Sequence, residues 1–202
     1  MDNAIVGILK PRNTAYPFGY AVLILRKELA VMTKTRKLTE IAISIALSCV
    51  FHFLRLWQMP QGGSISLEMV PILFIAFRRG AKSGITSGAI YGLISIIFDG
   101  IIYHPLSIFL DYFFAFGVLG IAGFFQKKLW GIICGSTVAV CGRFFFSLMS
   151  GVFLFAEYAP EGQSPWIYSI VYNTSYMLPE LVIAILVLVA IYFAAPKLFL
   201  KK

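Results

Sequence analysis

Lysine and arginine fall in alternate loops of this chain, and that alternation constrains the fold more than any other feature. Basic clusters at Lys34/Arg36/Lys37, Arg78/Arg79/Lys82, Lys127/Lys128 and Lys197/Lys201/Lys202 are separated by apolar runs. The loops around 59–64, 101–105 and 157–165, which lie between the clusters, contain neither residue. Loops rich in Lys and Arg stay cytoplasmic, while poorly charged loops are translocated. The pattern therefore predicts an all-α integral membrane protein: a six-helix bundle in the lipid bilayer of the cell membrane, multi-pass, with N and C termini cytoplasmic. Hydrophobic residues make up 59% of the chain and charged residues 13%, a composition outside that of soluble domains. The net charge of +8 sits at the cytoplasmic ends of the spans, where it meets anionic lipid, so no nucleic acid partner is expected. Cys49, Cys134 and Cys141 all fall in apolar spans without CxxC spacing and read as small buried hydrophobes.

The spans are expected near Leu38–Trp57, Ile65–Phe77, Ser83–Tyr103, Leu106–Phe125, Leu129–Ala156 and Trp166–Ala195. The second is brief, because thirteen residues cover only about 20 Å of helix. Its crossing is required to keep Arg78, Arg79 and Lys82 inside. Residues 1–31 stand apart as an N-terminal extension of doubtful status. Their apolar run Tyr20–Leu25 is too short to span, since a crossing takes about 20 apolar residues, and Met32 opens a more usual start. Residues 32–202 then form one membrane domain. In span 3, Gly84, Gly88 and Gly92 share a helical face and suit close intramolecular packing. Gly117, Gly120 and Gly123 continue the theme in span 4. Ala42 and Ala46 on span 1, with Ser44 and Ser48 nearby, are suited either to internal packing or to docking another membrane protein.

Ionisable groups within a bilayer cost roughly 2.5–3.5 kcal/mol each and are functional candidates for that reason. Asp99, Asp111, Arg143 and Glu180 qualify. Arg143 and Glu180 fall at similar depth on antiparallel neighbours, which suits a structural salt bridge. Asp111 lies nearer the exterior beside Tyr112, and either a cationic ligand or Arg143 must satisfy it. The outer ends of spans 5 and 6 bring Phe153, Phe155, Glu157, Tyr158, Glu161, Trp166, Tyr168 and Tyr172 close in sequence. Some of these rings serve as interfacial anchors. Carboxylates among ring faces also suit an organic cation, and Asn173 offers a paired donor and acceptor to a heterocycle edge. The chain has no phosphate-binding loop, HExxH or GxSxG, so no enzyme, cofactor or metal is expected. His52 and His104 read as satisfied polar groups near helix ends.

Several ordered segments resemble one family. They are Leu38–Ala42, Pro71–Leu73 with Arg78–Gly80, Leu110–Tyr112, Leu119–Gly123, and Glu157–Gly162 through Tyr168-Ser169 to Tyr172-Asn173. The chain thereby resembles the ThiT (YuaJ) family, the thiamine-specific S components of energy-coupling factor (ECF) transporters. The resemblance implies a substrate-binding subunit that takes thiamine from outside, partnered by a transmembrane coupling protein and two ATPase subunits. It implies ligand contacts from Asp111, Tyr112, Arg143, Tyr168 and Asn173, and coupling-protein docking at Ala42 and Ala46.

Three departures bear on the ligand. Asp111 stands where the family has Glu, Ser147 replaces a stacking His, and Phe155 replaces a stacking Trp, with Trp166 a possible substitute. A further Trp of the family falls near Gly62, and Trp57 is the nearest aromatic candidate. The expected ligand is accordingly thiamine or a close cationic relative. The alternative is a self-sufficient small transporter or channel for an organic cation, with Arg143, Glu180 and Asp111 as a coupling relay.

Overall fold

Apolar runs broken by glycine, proline and basic residues become helices in a computed structural model that describes residues 18–60, 62–99 and 104–199. They are α1 (Phe18–Phe53), α2 (Met69–Arg79), α3 (Ala81–Asp99), α4 (Ile108–Phe124), α5 (Leu129–Phe153) and α6 (Pro165–Ala194). Single 3₁₀ turns at Ala156–Tyr158 and Pro196–Leu198 follow α5 and α6. Contacts divide the chain after Leu38 into two units, and the larger one, Thr39–Lys202, contains the bundle. Residues 1–17 of the doubtful N-terminal extension lie outside the described residues, while Phe18 onward is helical.

Span limits move in informative ways. The chain leaves α1 at Phe53, and Trp57–Gln58 pairs antiparallel with Ser64–Ile65, Trp57 opposite Ile65. The connection between α1 and α2 is thus a short hairpin, and span 2 starts as helix only at Met69. Gly80 alone separates α2 from α3, with φ +92, a conformation that glycine adopts without steric cost.

The brief second span is explained by its position. Met69, Ile72, Leu73 and Ala76 are fully buried, so α2 forms the centre of the bundle, wrapped by its neighbours. The long apolar helices α3, α5 and α6 are the ones that by length and composition can cross a membrane, with α4 a shorter apolar helix. Their outer faces expose large apolar side chains such as Ile97, Phe145, Leu186 and Phe193, an arrangement suited to lipid as solvent. Cys134 and Cys141 also face outward, and only Cys49 is half-buried. In a bilayer the apolar surroundings of a small hydrophobe extend to the exterior, so apolar sequence context did not mean burial.

Glycine sets the spacing between α3 and α4. A Cβ on Gly88 would stand 2.1 Å from the Phe116 carbonyl oxygen, and one on Gly120 would stand 2.0 Å from the Ile85 nitrogen. The glycine faces read from the sequence pack within the bundle. At the end of the bundle carrying the basic clusters, Arg78 and Arg79 both bind the Glu40 carboxylate, with Arg78 Nε to Glu40 Oε2 at 2.9 Å. Arg78 also donates to the Leu198 carbonyl, and Phe199 is buried between Phe74 and Tyr192.

Candidate functional site

The opposite end of the bundle holds a cavity of about 300 Å³. Its wall is built from the last turns of α1, α3 and α5, the hairpin, and the first turns of α4 and α6. Each polar group on that wall is placed by a local feature of the chain.

Asp111 and Tyr112 stand in a π-helical stretch, Ile108–Phe114. A π-turn adds a residue to the helical turn and re-aims the side chains it carries. Both residues line the cavity, and Ser150 of α5, fully buried, donates a hydrogen bond to Asp111 Oδ2. Among the described residues Asp111 has no ion-pair partner, so a neutral hydroxyl holds a carboxylate that still lacks a cation.

Arg143, the expected alternative partner, is engaged elsewhere. Its Nη1 lies 3.3 Å from Glu180 Oε2, and its Nη2 lies 3.4 Å from Glu68 Oε1. The salt bridge read from helix depth is present, with a second acid added. Glu68 also accepts from Tyr91 at 2.6 Å and faces His52 Nδ1 at 3.1 Å. Arg55 donates to Asp99 at 2.7 Å beside this group. Glu68, His52, Arg55 and Asp99 all reach the cavity wall.

Asn173 lines the cavity from α6; its amide donates to the Ser169 carbonyl at 2.9 Å and its oxygen accepts from Tyr176 at 2.8 Å. Tyr168, Phe155 and Ser147 are on the wall as well. Trp166 is not: it packs edge-on to Phe153 at 6.3 Å and is half exposed. Trp57 also lies off the wall, in the hairpin, and is largely exposed. The ring faces that surround the cavity come instead from Tyr112, Phe116, Phe155, Tyr158, Tyr168 and the pair Tyr172/Tyr176.

Glu68 stands outside the four ionisable candidates read from the sequence, although it lies with Ser64 and Ser66 at the head of the short second span. Tyr176 and Ser150 had no such signal. His52 and His104 are both satisfied, His104 by the Leu106 amide at 3.1 Å. Ala42 and Ala46 point out of the bundle, away from the cavity, whereas Ser44 and Ser48 of the same helix bond the Pro71 and Glu68 carbonyls at 2.8 Å each.

A deep, ring-lined cavity with one uncompensated carboxylate can hold a small flat cation by ion pairing and cation–π contact. Comparisons with known proteins agree with that chemistry. The family model for thiamine transporter protein (Thia_YuaJ) matches residues 38–200. The thiamine transporter ThiT of Bacillus subtilis is 34% identical over 185 residues, covering 85% of this chain and 91% of that protein. The thiamine transporter ThiT of Lacticaseibacillus paracasei is 27% identical, covering 87% and 93%. Among solved structures, ThiT from Listeria monocytogenes superposes with a TM-score of 0.77 at 26% identity, covering 84% of this chain and all of that one. An S component of a bacterial ECF transporter shares the fold, with a TM-score of 0.60 at 17% identity over 81% and 97% of the two chains.

Proposed function

The chain belongs to the YuaJ family of thiamine transporter proteins, and on that premise we propose that it is the substrate-binding S component of an ECF-type importer whose ligand is thiamine or a close relative. It is a multi-pass membrane transport protein rather than an enzyme. The observation that carries the ligand reading is Asp111: a carboxylate on the wall of an aromatic cavity, held by Ser150 and lacking a cation among the described residues. The thiazolium charge supplies that cation. Tyr112, Phe155 and Tyr168 contact the rings, and Asn173 reads the aminopyrimidine edge. Ser147 and Arg143 complete the wall.

The cavity end carries the hairpin and the Lys/Arg-poor segment 157–165, and the other end carries Arg78, Arg79 and Lys127. By the positive-inside rule this supports a cavity open to the exterior and termini in the cytoplasm. Energy must come from elsewhere, since the chain has no phosphate loop. The outward face of α1, with Ala42 and Ala46, suits the transmembrane coupling protein, which in turn engages two ATPase subunits. A self-sufficient carrier loses its relay, because Arg143 closes on Glu68 and Glu180 while Asp111 bonds Ser150.

Calorimetry on the purified protein tests the reading. Thiamine is expected to bind tightly in a single-site isotherm, and reconstituted uptake is expected only with the ATPase module and ATP. An isotherm with no heat for thiamine or its aminopyrimidine and thiazole relatives overturns it.

A further inference from the structure

Both ends of the Asn173 amide are engaged from within its own helix. Nδ2 donates to the Ser169 carbonyl one turn before it at 2.9 Å, and Oδ1 accepts from the Tyr176 hydroxyl at 2.8 Å. Tyr176 reaches back because side chains lean toward a helix's N-terminus. All three residues line the cavity and are buried. The group is braced on two sides. A Cβ on Gly151 of α5 would stand 2.6 Å from Ser169 Oγ and 3.7 Å from Asn173 Nδ2, and one on Gly63 would meet the Tyr176 ring at 2.7 Å.

These partners leave the amide one orientation. A carbonyl oxygen only accepts, so the amide end beside Ser169 is the nitrogen. Turning the amide over would set Oδ1 against that carbonyl and take it from the Tyr176 hydrogen. Nδ2 keeps a second N–H and Oδ1 a second lone pair for a ligand. An amino-substituted pyrimidine edge presents an amine donor beside a ring-nitrogen acceptor. A 4-oxo edge presents the reverse, a carbonyl acceptor beside a ring N–H donor. An amide fixed in one sense pairs with the first edge and sets like groups together against the second. An amide free to turn accepts either.

We propose that Tyr176 is a specificity-determining positioning residue: by donating to Asn173 Oδ1 it holds the amide in the sense that reads an amino-bearing heterocycle edge and rejects an oxo-bearing one. Tyr176 acts through Asn173, with the Ser169 carbonyl fixing the other end. The inference rests on the thiamine reading above, and it adds how amino and oxo forms of the ligand are told apart.

The test is calorimetric titration of the purified full-length protein with thiamine and with oxythiamine, its 4-oxo analogue. Both carry the thiazolium cation, so the contribution of Asp111 cancels in the ratio of their dissociation constants. Wild type is expected to favour thiamine about tenfold or more. Tyr176→Phe keeps the ring against Gly63 and removes only the hydroxyl, and that preference is expected to fall about threefold or more. Gly63→Ala, which displaces the same ring, moves the ratio the same way and carries the test should the first variant not fold. Adding Tyr176→Phe to Asn173→Ala leaves the ratio where Asn173→Ala puts it. Equal weakening of both ligands by Tyr176→Phe is the signature of a merely structural role and overturns the inference while leaving the thiamine reading intact. A wild type that binds the two ligands alike does the same. Wild type that binds neither ligand overturns the thiamine reading and the inference with it.

Discussion

Ser150 and Asp111 are joined across the bundle by a hydrogen bond from the serine hydroxyl to carboxylate oxygen Oδ2, linking α5 to the first turn of α4. Asp111 is one methylene shorter than the glutamate of the family it resembles, and its reach is set by what holds it. The π-helical turn re-aims it and Ser150 fixes its orientation. A hydrogen bond to a charged group contributes about 1.5–3 kcal/mol. Ser150→Ala is therefore expected to weaken thiamine binding about 10- to 100-fold. Asp111→Asn, which removes the counter-charge itself, is expected to weaken it further. In the Asp111→Asn background the serine substitution should cost little, because the charged acceptor has gone. A double-mutant cycle by calorimetry measures this coupling, and additive losses would show that Ser150 acts independently of Asp111.

Much of this architecture was legible in the sequence because it follows from pattern. The alternation of basic clusters placed the helices, and Asp111, Tyr112, Phe155, Tyr168 and Asn173 come from segments whose outer ends the pattern brings together. Trp166 shows where periodicity stops short. It continues the stripe of Asn173 and Tyr176 on α6, but side chains lean toward a helix's N-terminus, so its indole lies beyond the cavity and meets Phe153. The Glu68 network was hidden for a different reason. Its partners His52, Tyr91 and Arg143 belong to three helices and lie 16, 23 and 75 residues away in sequence. Only their packing around α2 brings them together. The outward cysteines of α5 were misread because burial rules derived in water treat the apolar exterior of a membrane protein as interior.

Gly88 marks one of the close approaches of α3 to α4. A methyl there would collide with the Phe116 backbone carbonyl at 2.1 Å, which has no side-chain freedom to yield. Gly88→Ala is expected to lower stability by at least about 1–3 kcal/mol through enforced separation of the helices. Gly117→Ala is the internal control, since its added Cβ would have no neighbour nearer than Ala89 at 3.7 Å. Thermal unfolding in detergent should show a clear fall in midpoint for the first variant and almost none for the second.

The hairpin is tied to the ligand wall through Gly63. That residue has φ +82, and an added Cβ would stand 2.7 Å from the Tyr176 ring. Tyr176 in turn holds Asn173 at 2.8 Å, and Tyr172 donates to the Gly62 carbonyl at 2.8 Å. Gly63→Ala combines backbone strain of about 1–3 kcal/mol with displacement of the ring that orients Asn173. Thiamine affinity is expected to fall about tenfold or more while the helical circular dichroism stays unchanged. Undiminished affinity would show that the hairpin and the Asn173 amide are not mechanically linked.

The two faces of α1 differ in chemistry, and the proposed docking surface lies on the outward one. Ser44, Ser48 and His52 face inward at successive turns and bond Pro71, Glu68 and the Glu68 carboxylate, while Ala42 and Ala46 face outward beside Ile43 and Leu47. Small residues four apart let another helix approach closely, and a bulky side chain there blocks that approach without entering the bundle. Ala42→Phe with Ala46→Phe is accordingly expected to leave the thiamine isotherm of the isolated protein unchanged, because neither residue contributes to the cavity wall. ATP-driven uptake in proteoliposomes containing the coupling protein and ATPases should drop to background in the same variant. Ser48→Ala acts on the opposite face, where it removes the bond to the Glu68 carbonyl, and should weaken thiamine binding. Full uptake by the double phenylalanine variant would move the docking surface off α1, since a contact between closely packed helices does not tolerate two added rings at its centre.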